Sequence, residues 1–296
     1  MAIKEFFVAR LHVDLGLWEA SIQEDKPSFI RDCFFILSRE KIFYYQKYGE
    51  SEIAYAIAEV EEIDDQFIRG KIVRKHPKFV KRLSEETKEI VEEKLEGIVE
   101  YVEFYYHLPS FLMFVEEKRS YGLTKKRIAT IVSILLREVI KSKENIEAEV
   151  DLVFLASEKE FVKKVLSLQK LLYARFILFP TNPSPRIYED LEKDLRDSNV
   201  EKRLIVDRPK PGESLDYKKE SSFGRKSLQM VEDGYGKGKV RGIDQNGALV
   251  ILDSEERSEK VSLDSNQPME SIISTLLQKI TEIWNKFKPK DSEDDS

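Results

Sequence analysis

Cysteine and histidine are scarce in this sequence. Its 296 residues include one cysteine, Cys33, and three histidines, His12, His76 and His107. A single cysteine excludes a disulfide framework within the chain and favours a reducing compartment. Zinc sites take most of their ligands from cysteine and histidine, so the scarcity of both argues against a structural zinc site. A magnesium site built from carboxylates alone stays open, because acidic residues are plentiful.

Long apolar runs are also absent. No stretch approaches the roughly 18 apolar residues of a membrane-spanning helix, so we expect no membrane span. The N-terminal sequence MAIKEFFVARLHVD is interrupted by Lys4, Glu5 and Arg10 and has no apolar stretch of signal-peptide length. We therefore expect a cytoplasmic protein.

Familiar catalytic and nucleotide-binding motifs are missing as well. The sequence has no Gly-x-Ser-x-Gly elbow and no Gly-Lys-Ser/Thr phosphate loop, and its histidines lie far apart along the chain. Its one glycine run, Gly234-Tyr-Gly-Lys-Gly238, precedes a predicted strand, whereas a phosphate cradle opens a helix. We interpret the run as a mobile connector before a hairpin; close approach of a ligand backbone is the alternative. We expect no cofactor and favour a protein without catalytic activity.

Charge and apolar residues are both abundant. Charged residues make up 35% of the chain with a net charge of −6, and hydrophobic residues make up 41%, which is enough for a packed core. The spacing of apolar residues predicts an α+β fold with two units, each a mostly antiparallel sheet packed with helices. We place the units at residues 1–140 and 141–288, followed by an acidic tail at 289–296.

Local sequence patterns predict where the individual strands, helices and turns lie. A strand at 3–13 precedes a helix at 28–39 and a meander whose third strand, Gln66–Arg74, should end before Pro77. The acidic stretch 84–96 is interpreted as a solvated helix or an extended connection. Thr124 is a predicted N-cap, and Asn246-Gly247 is a hairpin signal. The other predicted helices cover about 124–140, 158–167, 187–197, 225–232 and 269–288.

Three acid-poor clusters of lysine and arginine are candidate phosphate contacts. Such clusters bind phosphate backbones favourably, because binding releases condensed counterions. A chain this rich in charge also forms clusters by chance. The first cluster lies within residues 71–82, the second near 125 and the third beside the glycine run. Their members are Lys71, Arg74, Lys75, Lys78, Lys81 and Arg82; Lys125, Lys126 and Arg127; and Lys237, Lys239 and Arg241.

The centre of the chain resembles a known family. Leu108–Val115, a charged turn, Tyr121-Gly-Leu-Thr124 and the following amphipathic helix resemble the central part of RexA-type phage-exclusion proteins and of related bacterial proteins from phage-defence islands. Phe179-Pro-Thr-Asn-Pro183, the glycine run and the final helix after Pro268 fit the same layout. The resemblance implies a non-enzymatic, DNA-binding homodimer that acts with a protein partner in phage defence.

The residues and the resemblance together lead to one main hypothesis. It is a nucleic-acid-binding protein, with DNA favoured, that serves as a sensor or accessory subunit in phage defence. No family motif assigns DNA contacts, so the candidate residues rest on charge, and the acidic total departs from a generic DNA-binding protein. Two alternatives stay open: a protein-interaction scaffold that docks through its acidic segment and tail, and a metal-dependent nuclease whose carboxylates meet only in the fold.

Overall fold

The fold was analysed in a computed structural model of the chain. The structure describes residues 3–16, 26–49, 51–83, 90–118, 122–156, 161–180, 191, 194–195, 197–198, 200, 202–219, 221–256 and 258–285, with the backbone alone at 48, 78–83 and 90–96. Most of the helix predicted at 187–197 and the whole predicted tail, 289–296, lie outside these residues.

The described residues form five helices and twelve strands, which confirms the predicted α+β class. The helices are α1 (Lys26–Arg39), α2 (Lys125–Glu144), α3 (Phe161–Ser167), α4 (Phe223–Glu232) and α5 (Met269–Asn285). The strands are β1 (Ile3–Asp14), β2 (Tyr44–Tyr48), β3 (Ser51–Glu62), β4 (Phe67–Leu83), β5 (Ile90–His107), β6 (Leu112–Glu116), β7 (Glu149–Phe154), β8 (Lys170–Leu178), β9 (Arg203–Asp207), β10 (Gly236–Ile243), β11 (Leu249–Asp253) and β12 (Lys260–Asp264).

These strands belong to two mostly antiparallel sheets. One sheet has the order β12-β1-β6-β5-β4-β3-β2, with β7 paired to β1, and the other has the order β11-β10-β8-β9. The chain divides into two compact units: unit 1 comprises 1–14, 110–114 and 153–296, and unit 2 comprises 15–109 and 115–152. Neither unit coincides with the predicted ranges 1–140 and 141–288, because each contains separate stretches of chain.

Unit 2 is built on the predicted meander. Strands β2, β3, β4 and β5 pair consecutively and antiparallel. Helix α1 packs on β3, and α2 packs on α1. The buried face of α1 carries Phe29, Ile30, Cys33, Phe34 and Leu37, so this helix covers the sheet with its apolar side. Thr124 is the N-cap of α2, as predicted, and its side chain accepts a hydrogen bond from the Arg127 amide.

The predicted end of β4 is wrong. The strand passes through Pro77 and pairs with β5 as far as Leu83 opposite Ile90. The register shifts between His76 and Lys78, where Pro77 lies opposite two residues of β5, 96 and 97, so Pro77 lies at a bulge, a position at which strands accept proline. The helical interpretation of the acidic stretch is therefore wrong for 90–96, which is paired strand; the remainder, 84–89, lies outside the described residues.

Unit 1 contains the four-stranded sheet. The predicted Asn-Gly hairpin is confirmed: β10 and β11 pair as far as Ile243 opposite Leu249, and Gly247 has a φ of +80°. The Asp244 carboxylate accepts hydrogen bonds from two amides within this turn. Strand β9 was not predicted, because its five residues follow a polar stretch and show no long alternation. Its pairing with β8 sets its conformation.

Candidate nucleic-acid interface

The four-stranded sheet has one covered face and one exposed face. Helix α4 packs on β8 and β10, and α3 packs on α4 and β11. Alternation along β10 turns Gly238 and Val240 towards the helices and leaves Lys239 and Arg241 exposed on the other side. Along β8, Phe176 is buried whereas Arg175 is exposed. The outer face of this sheet is therefore the face opposite α3 and α4.

A groove of about 840 Å³ lies on this outer face. We call it the sheet groove. Its charged lining is mainly cationic, with Glu213 as its one carboxylate among the described residues. The basic and aromatic residues that line it are Lys170, Tyr173, Arg208, Lys210, Lys239 and Arg241.

Tyr173 occupies the middle of the groove, with an arginine on either side. Arg241 is its direct partner on β10, and its guanidinium carbon lies 6.0 Å from the centre of the Tyr173 ring. Arg208 follows β9, the neighbour on the other side, and its guanidinium carbon lies 5.9 Å from the ring centre. Both distances suit a cation–π contact, so the two guanidinium groups gather around one half-exposed aromatic ring.

Two cations of this face stand side by side: Lys239, which lines the groove, and Arg175, which lies next to it. Arg175 on β8 and Lys239 on β10 are direct cross-strand partners and both are exposed. Like charges in this position repel and destabilise a sheet. The nearest compensation is Asp253, whose carboxylate lies 3.9 Å from Lys239 Nζ, and none of the described carboxylates forms an ion pair with Arg175. The positive charge of Arg175 is therefore not compensated by any described carboxylate.

A short proline-rich turn forms one wall of the groove. The Glu213 amide donates to the Lys210 carbonyl at 3.0 Å across Pro211 and Gly212, and Gly212 has a φ of +83°. Proline followed by a left-handed glycine is the pattern of a type II turn. The next residue, Ser214, accepts a hydrogen bond from the Leu171 amide on β8 at 2.8 Å. Lys210 is therefore held on an ordered support at the edge of the sheet.

The glycine run is part of the packed sheet, so its interpretation as a mobile connector is wrong. Gly236 and Gly238 are buried residues of β10. A Cβ on Gly236 would lie 2.7 Å from the main-chain oxygen of Ile177 on the neighbouring strand. A Cβ on Gly238 would lie 3.2 Å from Phe161 of α3. The close approach that these glycines allow is thus to the protein's own backbone and core.

The third predicted cluster is divided by the sheet. Lys239 and Arg241 line the sheet groove. Lys237 lies two residues earlier on the same strand, and its Nζ forms an ion pair with Glu255 at 3.3 Å. Two of the three predicted residues therefore lie in the groove, and the third is neutralised beside it.

The first predicted cluster lies on β4 in unit 2. Lys71 forms an ion pair with Glu59, and Arg74 Nη1 donates to Glu100 at 2.9 Å with only 14% of its side chain exposed. Lys75 is exposed. The structure describes only the backbone of Lys78, Lys81 and Arg82, which pairs with β5 opposite residues 91–95. The two cations at the start of this cluster therefore take part in ion pairs within the sheet.

The second cluster lies in the first turn of α2. Lys126 is exposed, whereas Lys125 and Arg127 are half-buried. The N-terminal turn of a helix carries a partial positive charge, which favours anions there. This turn holds no acidic residue.

The three histidines contact backbone carbonyls or aromatic rings of the folded chain. His12 Nε2 lies 2.7 Å from the carbonyl oxygen of Gly234, and its ring stacks on Phe179 at 5.0 Å. His76 Nδ1 lies 2.8 Å from the Pro77 carbonyl oxygen. Burial lowers the pKa of His107 from 6.5 to about 4. Over the part of the chain that the structure describes, no group of three His, Cys, Asp or Glu residues could hold a metal ion.

Sequence reasoning missed most of the groove. The groove residues Lys170, Tyr173, Arg208 and Lys210, and Arg175 next to the groove, were not candidates, because they lie on β8 and after β9, away from the lysine and arginine clusters of the sequence. One signal was available within β8: Tyr173 and Arg175 are two residues apart in a predicted strand and so share a face. No comparable signal connects them with Arg208.

The fold and the groove define an α+β protein with a cationic surface on an antiparallel sheet. The chain belongs to the DUF4747 family, a domain of unknown function, whose sequence profile matches residues 37–282. That range contains the whole sheet groove. A comparison with curated proteins finds no match. The described helices include none that is long and apolar enough to cross a membrane.

Proposed function

We propose that this protein binds nucleic acid, with DNA favoured, through the sheet groove, and acts as a sensor or accessory subunit in phage defence. The observation that carries the binding proposal is the pairing of Arg175 with Lys239 next to Arg208, Arg241 and the Tyr173 ring. These cations share one exposed face of a single sheet, although the chain as a whole has a net charge of −6.

Electrostatics favours a polyanion as the partner of this face. Holding Arg175 opposite Lys239 costs stability in the unbound protein, and bound phosphates remove that repulsion. Each phosphate contact also releases condensed counterions, so affinity rises as salt is lowered. Arginine donates in a planar fork that matches phosphate oxygens, which suits Arg208 and Arg241 at the groove.

The ion pairs of unit 2 support the groove as the interface in preference to the first cluster. Lys71 and Arg74 already have carboxylate partners, so phosphate binding would have to break those pairs. Arg208 and Arg241 form no ion pair with any described carboxylate. Arg208 and Arg241 can therefore contact phosphate without breaking an ion pair to a described carboxylate.

The defence role rests on the resemblance to RexA-type phage-exclusion proteins. That resemblance also supplies the homodimer and the protein partner, and light scattering of the purified chain tests the dimer. The defence role is tested by the plating efficiency of phage on a bacterial host that expresses either the wild type or a variant with substitutions in the sheet groove. Protection that needs the groove supports a nucleic-acid sensor, and unaltered plating with the wild-type protein contradicts the defence role.

Fluorescence anisotropy with labelled DNA at about 0.1 M salt tests the binding proposal. The groove variant carries Arg175→Gln, Arg208→Gln and Arg241→Gln, and we expect it to bind at least about tenfold more weakly. The matched control carries Lys163→Gln, Lys218→Gln and Lys219→Gln, which removes the same charge from exposed positions of unit 1 outside the groove. It should bind like the wild type.

A third variant tests the first cluster directly. It carries Lys75→Gln, Lys78→Gln and Lys81→Gln, and on the present proposal its affinity stays within about twofold of the wild type. A loss confined to this variant would move the interface to unit 2 and contradict the groove. If the wild-type protein binds neither DNA nor RNA, the scaffold hypothesis replaces the proposal.

A further inference from the structure

We infer that the nucleic acid bound in the sheet groove is single-stranded, and that one of its bases stacks on Tyr173. This inference rests on the proposed function and names the form of its ligand. It depends on a second property of the outer face, which is the apolar surface that accompanies the cations.

Four aliphatic side chains are exposed on this face. Leu204 and Val206 on β9 are 57% and 44% exposed, and Leu249 and Ile251 on β11 are 62% and 53% exposed. The register places them on the same side as the cations: Val206 is opposite Arg175, and Ile251 is opposite Arg241. Cations thus occupy the central strands and the segment that follows β9, and aliphatic side chains occupy both edge strands.

This mixture distinguishes between the two forms of nucleic acid. A duplex presents phosphates and the edges of its bases, while the base faces are stacked inside, so exposed aliphatic groups on a flat sheet would gain little from it. A single strand exposes base faces, which stack on aromatic rings and guanidinium planes while its phosphates meet cations. The outer face offers both kinds of contact next to each other.

The centre of the groove is already arranged for stacking. Tyr173 is half-buried on a central strand, with Arg208 and Arg241 on either side at about equal distances from its ring. The anchored turn at Pro211 and Gly212 holds Lys210 beside them. A half-buried aromatic ring and a hydrogen-bonded turn lose little conformational freedom when a base binds, which favours a stacked base at this position.

Three probes separate stacking from charge. The first is an oligothymidylate of about 16 nucleotides, which is at the upper end of the lengths that single-strand sites commonly cover. The second is the same strand in a duplex with its complement. The third is inorganic polyphosphate, which has phosphates but no bases. We expect the wild type to bind the single strand at least about tenfold more tightly than the duplex, and polyphosphate more weakly than either. The proteins compared are the wild type, Tyr173→Ala and Tyr173→Phe.

Tyr173→Ala should lower the affinity for the single strand by roughly tenfold to a hundredfold, because one stacked base contributes that much. Its affinity for the duplex and for polyphosphate should stay within about twofold, and Tyr173→Phe should restore single-strand binding because the ring is kept. Equal binding of single strand and duplex, or no effect of Tyr173→Ala, overturns the inference and leaves the proposed function standing. Absence of binding to both DNA forms and to an RNA of the same length overturns the proposed function itself.

Discussion

Arg10 places a cationic side chain inside unit 1. It is 1% exposed, and its guanidinium donates to the main-chain oxygens of Asp233 at 3.3 Å and Ser110 at 3.2 Å. It also lies 4.3 Å from the centre of the Tyr235 ring. Asp233 is the C-cap of α4, where the last carbonyls carry the negative end of the helix dipole. Arg10 therefore joins β1 to the end of α4 by charge-assisted hydrogen bonds.

Replacing Arg10 with Met should lower the free energy of unfolding by roughly 3 kcal/mol, because two charge-assisted hydrogen bonds of a buried guanidinium are lost. Denaturant titration followed by circular dichroism measures this loss. Arg241→Met is the control, since that arginine is exposed and the change should stay within about 0.5 kcal/mol. Equal losses in the two variants would contradict the structural role of Arg10.

His107 gives the stability of unit 2 a pH dependence. It is 6% exposed, its ring lies 4.7 Å from that of Phe67, and burial lowers its pKa from 6.5 to about 4. Above pH 6.5 the ring is neutral in both the folded and the unfolded state. Between about pH 6.5 and 4 only the unfolded state takes up the proton, so the free energy of unfolding falls as the pH is lowered.

His107→Gln should remove this contribution, because glutamine does not titrate. Thermal unfolding of the wild type and the variant across pH 7 to 4 measures the difference: the wild type should lose more stability than the variant over this window. Curves that fall in parallel would show that His107 takes up its proton equally well in the folded protein.

At the scale of elements, β10 depends on glycine for its approach to β8. A Cβ at Gly236 would meet the Ile177 main-chain oxygen, which cannot move without disturbing the ladder. Gly236→Ala should therefore destabilise unit 1 by roughly 1–3 kcal/mol. Gly212→Ala is the comparison: no atom lies within 4 Å of its Cβ, so only the cost of its positive φ remains. If Gly236→Ala folds as stably as the wild type, the two strands are farther apart than described.

The elements with strong local signals were predictable from sequence. Helix α2 has an N-cap and regular apolar spacing, and the β10–β11 hairpin has its Asn-Gly turn, so both were placed correctly. The end of β4 and the start of β5 were not, because a proline and a run of glutamates are poor strand formers by themselves. Their strand conformation comes from pairing with each other over a long register, with Pro77 at a bulge. Cross-strand pairing therefore outweighs the low strand propensity of these residues.

At the scale of the whole chain, the net charge and the charge of the sheet groove have opposite signs. The total is −6, yet the outer face of the four-stranded sheet gathers cations from three separate stretches of sequence. Charge clustering along the chain could find Lys239 and Arg241, which are two residues apart in the sequence. It could not find Arg208 or Tyr173, because only the order and register of β9, β8 and β10 bring these residues to Arg241.

The salt dependence of DNA binding tests the central claim most directly. The slope of log affinity against log salt, measured between about 50 and 200 mM, counts phosphate contacts at about 0.7 each for a single strand and 0.9 for a duplex. The variant with Arg175→Gln, Arg208→Gln and Arg241→Gln should show a slope smaller by roughly 2 to 3 than the wild type. The variant with Lys163→Gln, Lys218→Gln and Lys219→Gln should keep the wild-type slope. Identical slopes for the wild type and the groove variant would contradict phosphate binding in the sheet groove.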